Sequence, residues 1–143
     1  MGTRSNIAYR TPEGRIVSVY CHYDGYPANN GKILVENYKD MDKIVQLISL
    51  GSISSLGAEI GKKQDFNDRS TQKDEWTLAY NRDRGEDLRV SVYDDVASWI
   101  DDMEEYAYLY NGREWLVNDH GEKSDKGFPV FSRVVDVLET VAE

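Results

Sequence analysis

Asn111-Gly112 separates two runs of alternating side chains, and this arrangement constrains the fold more than any other feature of the chain. Residues 105–110 and 113–118 flank the pair, with Tyr106, Tyr108 and Tyr110 on one side of the first run. Trp115 and Val117 are placed to lie across from that tyrosine row, where cross-strand aromatic packing would hold them. Both central residues of a type I′ turn need positive φ, which Asn and Gly tolerate, so a β-hairpin is expected here.

Two further hairpins follow from the same pattern. Residues 4–10 pair with 15–22 across Thr11-Pro12-Glu13-Gly14, with Val17, Val19 and Cys21 facing one way and Ile16, Ser18, Tyr20 and His22 the other. Residues 76–81 pair with 88–93 across a polar turn containing Gly85, with Leu88, Val90 and Val92 alternating against Arg89, Ser91 and Tyr93. Helical spacing appears between these units. Residues 30–38 carry Ile33, Leu34 and Tyr38 on one stripe. Met41, Ile44, Val45 and Ile48 follow Asp40 as N-cap and stop at Gly51. Residues 94–103 form a short helix around Val96, Trp99 and Ile100, and Phe131, Val134, Val135, Leu138 and Val141 form a last stripe. The expected fold class is α+β, a mostly antiparallel sheet from three β-hairpins with helices packed on one face. Residues 1–143 are expected to form a single globular domain with a mobile loop over residues 61–73.

Composition narrows the function classes. The apolar runs are too short for a membrane span, and residues 1–5 hold no apolar segment of a secretory signal. One cysteine, Cys21, cannot form an internal disulfide, which fits a reducing, cytoplasmic setting. The net charge of −9 opposes direct binding to nucleic acid. That charge is uneven: residues 1–72 carry nine basic and eight acidic side chains, residues 73–143 eight and eighteen. The densest patch is Asp94, Asp95, Asp101, Asp102, Glu104 and Glu105, read either as a solvated face or as an acidic surface for a basic protein site.

Residues 20–27, Tyr-Cys-His-Tyr-Asp-Gly-Tyr-Pro, concentrate a thiol, an imidazole, a carboxylate and three phenols at a strand exit. Tyr20, His22, Tyr23, Asp24 and Tyr26, with Arg4 and Asn6 from the neighbouring arm, are the candidate ligand- or partner-binding residues. Tyrosine faces can stack on a small aromatic or anionic ligand, and Tyr and Arg are also enriched at protein-binding hot spots. Cys21 and His22 are strand neighbours pointing to opposite faces, so no local Cys-His pair is expected, and Cys21 reads as a small core residue. His22 with Asp24, and Asp119 with His120, lack the spacing of a zinc site. No catalytic residue, metal or cofactor is therefore assigned.

The opening Met1-Gly2-Thr3-Arg4-Ser5-Asn6-Ile7 and the segment Val19-Tyr20-Cys21-His22-Tyr23-Asp24-Gly25-Tyr26-Pro27 resemble a group of uncharacterised small bacteriophage proteins. The likeness is strong over about the first 57 residues, through Leu47-Ile48-Ser49-Leu50-Gly51, and loose beyond them. It implies origin more than activity. The function it implies is that of an accessory protein in the host-cell cytoplasm that binds, and inhibits, a host or anti-phage defence protein. The alternatives are sequestration of a small nucleotide-like signalling ligand near residues 20–27, and an enzyme acting on such a ligand. Exposed hairpin edges also make a homodimer possible.

Overall fold

The computed structural model describes residues 3–103 and 105–142, with side chains through Glu139, so Glu104 and the side chain of Val141 lie outside the described residues. In chain order the strands are β1 Ser5–Arg10, β2 Ile16–Cys21, β3 Ile53–Ser55, β4 Leu78–Ala79, β5 Ser91–Tyr93, β6 Tyr106–Tyr110, β7 Trp115–Asp119 and β8 Ser132–Arg133. The helices are α1 Lys32–Asn37, α2 Met41–Ile48, α3 Tyr80–Arg84, α4 Val96–Asp101 and α5 Val134–Ala142, with a π-helical turn, Pro27–Gly31, ahead of α1. The strands form one mixed sheet in the order β4-β3-β2-β1-β6-β7-β8, with β5 added to β2. Most pairings are antiparallel; β1–β6 and β2–β3 are parallel. The fold is α+β.

The first hairpin forms as its alternation predicts, with Ile7 opposite Val19 and Asn6 opposite Tyr20. Gly14, at φ +88, closes its turn, and Thr11 binds Arg15 through both backbone and hydroxyl. The third hairpin also forms, but as a four-residue turn: Tyr110 faces Trp115, not a residue two positions earlier. Asn111 uses its side chain instead of a positive φ, its Oδ1 accepting from the N–H groups of Arg113 (2.9 Å) and Glu114 (3.0 Å). A register shift of two keeps every side chain on its face. Tyr108 and Tyr110 therefore meet Val117 and Trp115 as expected.

The second hairpin does not form. β4 pairs with β3, and β5 pairs with β2, so the two runs have different neighbours. The chain instead turns into α3, because the buried Asp83 carboxylate reaches back to the N–H of Ala79 (2.8 Å), and left-handed Gly85 then ends the helix. The same carboxylate accepts from the N–H of Gln64 (2.8 Å), and the Phe66 ring packs against the Tyr80 ring, with the Arg84 guanidinium over both. These contacts tie the 61–73 segment, with its 3₁₀ turn Arg69–Thr71, to α3.

The helices do not all share one face. Leu34 of α1, Ile44, Leu47 and Ile48 of α2, and Val134 of α5 bury against Ile7, Val19, Tyr108 and Val117. α4 packs on the opposite face, where the small residues Ala8 and Ala107 leave room for Trp99. Its indole N–H donates to Ser18 Oγ at 3.0 Å, which satisfies the buried donor. Asp40 and Asp95 cap α2 and α4 by accepting from the N–H groups of Asp42 and Ser98. Among the described residues no helix is long and apolar enough to cross a membrane.

Candidate binding cleft

The residue 20–27 loop is fixed by the strands around it. His22 and Tyr23 donate their N–H groups to the carbonyls of Ile53 (2.9 Å) and Ser54 (3.0 Å), and Gly25 donates to Thr3 (2.8 Å). From the sheet below, the Tyr108 hydroxyl donates to the Gly25 carbonyl at 2.6 Å. Asp24 sits in the left-handed region at φ 57, which the short polar side chain of Asp tolerates. Beneath the loop, Asn30 is fully buried and donates to Ser5 Oγ (3.2 Å) and Cys21 Sγ (3.4 Å).

Cys21 is fully buried, and burial pushes its thiol up from 9.0 to about 11. The native state keeps this proton in the interval where the unfolded chain loses it. The contribution of the group to stability is thus complete below pH 9 and lost as pH rises toward 11, by about 3 kcal/mol. Tyr38, raised by burial from 10.0 to about 12, extends the same loss to higher pH. Chemical denaturation as a function of pH should show this decline, and the folded protein should resist a disulfide-exchange reagent at pH 8. Rapid labelling of the native thiol would contradict it.

Above the other face of the sheet lies a half-open cleft of about 320 Å³ lined by Arg4, Asn6, Tyr20, Tyr93, Asp102, Met103 and Glu105. Hairpin register brings Asn6 beside Tyr20, β5 adds Tyr93 opposite Ile16, and the chain leaving α4 adds Asp102 and Met103. Glu105 accepts from the Arg4 backbone N–H (2.9 Å) and from Arg4 Nε (3.3 Å). Tyr20 shares a 2.6 Å hydrogen bond with His22 Nδ1. Burial raises the pKa of Tyr20, against an opposing pull from Arg4. Burial, and then the hydrogen bond to Asp102, raises that of Tyr93. Both phenols are therefore protonated at neutral pH, and their hydroxyls are engaged with His22 and Asp102. Two carboxylates against one guanidinium leave the cleft net negative.

The structure thus divides the expected binding residues. Arg4, Asn6 and Tyr20 meet in the cleft, with His22 hydrogen-bonded to Tyr20. Tyr23 and Asp24 line a separate cavity of about 420 Å³ with Arg69 and Gln72, and Tyr26 is exposed where it precedes the π-helical turn. The acidic residues divide as well. Asp102 and Glu105 enter the cleft, Asp95 caps α4, Asp101 pairs with Lys123 at 2.6 Å, and Asp94 is exposed. Hydrogen bonds from Ser98 hold the Asp95 carboxyl below its ordinary value. Tyr93 and Met103 are not among the residues expected from the sequence: Tyr93 reaches the cleft because β5 pairs with β2 instead of with residues 76–81, and Met103 because the chain leaving α4 passes there.

Neither sequence pair builds a metal-ligand set: His120 contacts Asp119 and the edge of Tyr106, while His22 contacts Tyr20 and Tyr23. Among the described residues no three His, Cys, Asp or Glu side chains converge. The chain matches no protein-family model, no curated protein and no solved structure. What the cleft can do is thus set by its own groups. Aromatic faces beside carboxylates attract a cation through the ring quadrupole and the net charge together.

Proposed function

We propose that this chain acts by binding, as a small acidic phage accessory protein that blocks a basic site on a host or anti-phage defence protein. An Arg or Lys side chain of that partner enters between Tyr20 and Tyr93 and pairs with Asp102 and Glu105. The convergence of these two carboxylates with two phenols in one cleft supports the reading, and the excess acidic charge of residues 73–143 would steer the encounter.

The test begins with the immobilised protein and host lysate, followed by titration of the purified captured protein. A stoichiometric partner released by salt is expected. Asp102→Lys should weaken it by roughly thirtyfold or more, whereas Asp94→Lys outside the cleft should change little. Equal affinity for the Asp102→Lys variant would overturn the cleft as the docking site. A second reading, sequestration of a nucleotide-like ligand, draws on Arg4 and Asn6, which line the same cleft. Its signature is an ultraviolet-absorbing small molecule released on heating, and lost from Asn6→Ala with Tyr20→Ala. Two carboxylates facing a phosphate make it the weaker reading.

A further inference from the structure

On the other face of the sheet, α1, α5 and the β6–β7 turn border a second, half-open cavity of about 270 Å³, lined mostly by apolar and aromatic groups. Val35, Val135, Tyr110 and Trp115 contribute to its lining, and the Tyr110 and Trp115 rings pack on one another with centroids 5.3 Å apart. The polar atoms of those rings are already engaged: Trp115 Nε1 donates to the Tyr38 carbonyl (2.8 Å) and the Tyr110 hydroxyl to the Lys39 carbonyl (3.4 Å). The cavity is therefore preformed, and its walls offer contact area more than hydrogen bonds.

Its rim has the opposite charge to the rest of the chain. Lys39 and Arg113 are exposed on it, and no ion pair to either side chain is found among the described residues. The one acid on the rim, Glu114, is paired with Arg133 at 2.5 Å. An aromatic slot with two uncommitted cations at its edge complements one kind of occupant, a flat apolar body with an anionic end. The volume lies just under the usual range of about 300–1,000 Å³ for small-molecule sites and suits one or two rings. We infer that this cavity is a binding site for a small aromatic carboxylate, its rings against Tyr110 and Trp115 and its carboxylate held by Lys39 and Arg113.

The test uses 1-naphthoate as probe, with calorimetry for affinity and the Trp115 indole N–H resonance as the local reporter. Saturable binding that shifts this resonance is expected. Lys39→Gln with Arg113→Gln should weaken it by roughly tenfold or more, and the neutral amide of the probe should bind similarly weakly. Both replaced side chains are exposed, and an unchanged thermal midpoint will confirm that the double variant is folded. Absence of binding, binding that leaves the Trp115 resonance unmoved, or equal affinity for the acid and its amide would each overturn the assignment. Asp102→Lys should leave naphthoate binding intact, which keeps this result independent of the cleft on the opposite face.

Discussion

Asp83→Ala is expected to lower the unfolding free energy by about 3–5 kcal/mol, because it removes one partner from a buried charge pair. The Asp83 side chain is fully buried and accepts four hydrogen bonds: from the N–H groups of Gln64 and Ala79, and from Nε (3.0 Å) and Nη2 (3.1 Å) of Arg82. Alanine would strand two backbone donors and leave the guanidinium with only the carbonyls of Ile60 (2.8 Å) and Thr77 (2.6 Å). Asp83→Asn keeps one acceptor oxygen and should cost about 1–3 kcal/mol. Denaturant titrations of the two variants measure both values, and a loss below about 1 kcal/mol for Asp83→Ala would show that the carboxylate does not organise this region. Hydrogen exchange adds a local readout: the N–H groups of Gln64 and Phe66 should lose protection before the core strands do.

That buried carboxylate also explains where sequence reading stopped. Alternation in residues 76–81 and 88–93 reports which side chains share a face, but carries no information about which strand lies alongside. Asp83 lies in a polar stretch that reads as a turn, and its burial depends on donors from Gln64 and Ala79 that no local pattern reveals. By contrast, β1–β2 and β6–β7 are joined by short turns, so neighbours in sequence are neighbours in space and the pattern suffices. α2 was equally legible, because its cap, apolar spacing and Gly51 stop are local signals. The placement of α4 was not, since Trp99 finds its slot through Ala8, Ala107 and Ser18, which lie far away along the chain.

The same distinction applies to the cleft. Arg4, Asn6 and Tyr20 were legible as a group because hairpin register sets their positions, whereas Tyr93, Asp102 and Glu105 join them only through long-range pairing. The acidic patch and the residue 20–27 segment lie far apart along the chain, and they meet in space where Asp102 and Glu105 line the cleft with Tyr20. Tyr23, Asp24 and Tyr26 depart from the group because the backbone turns after His22, where β2 gives way to contacts with Ile53 and Ser54.

Gly25→Ala should disrupt this arrangement at its tightest point. A Cβ on Gly25 would lie 2.7 Å from Ser5 Cβ and 2.9 Å from both the carbonyl carbon and oxygen of Arg4. Two of these atoms are backbone of the edge that carries Arg4 into the cleft, so neither a rotamer change nor a small side-chain shift relieves the clash. The loop must lift from β1, weakening the bonds from Gly25 N–H to Thr3 and from the Tyr108 hydroxyl to the Gly25 carbonyl. Overpacking together with an unsatisfied buried phenol should cost about 2–4 kcal/mol. Tyr108→Phe, which removes only the hydroxyl, should cost about 1 kcal/mol and separates the two contributions. Lifting the loop also uncovers Cys21, so the thiol that resists labelling in the native protein should react in Gly25→Ala well below its unfolding midpoint. A variant as stable and as unreactive as the parent would mean that the loop does not depend on this contact for its position.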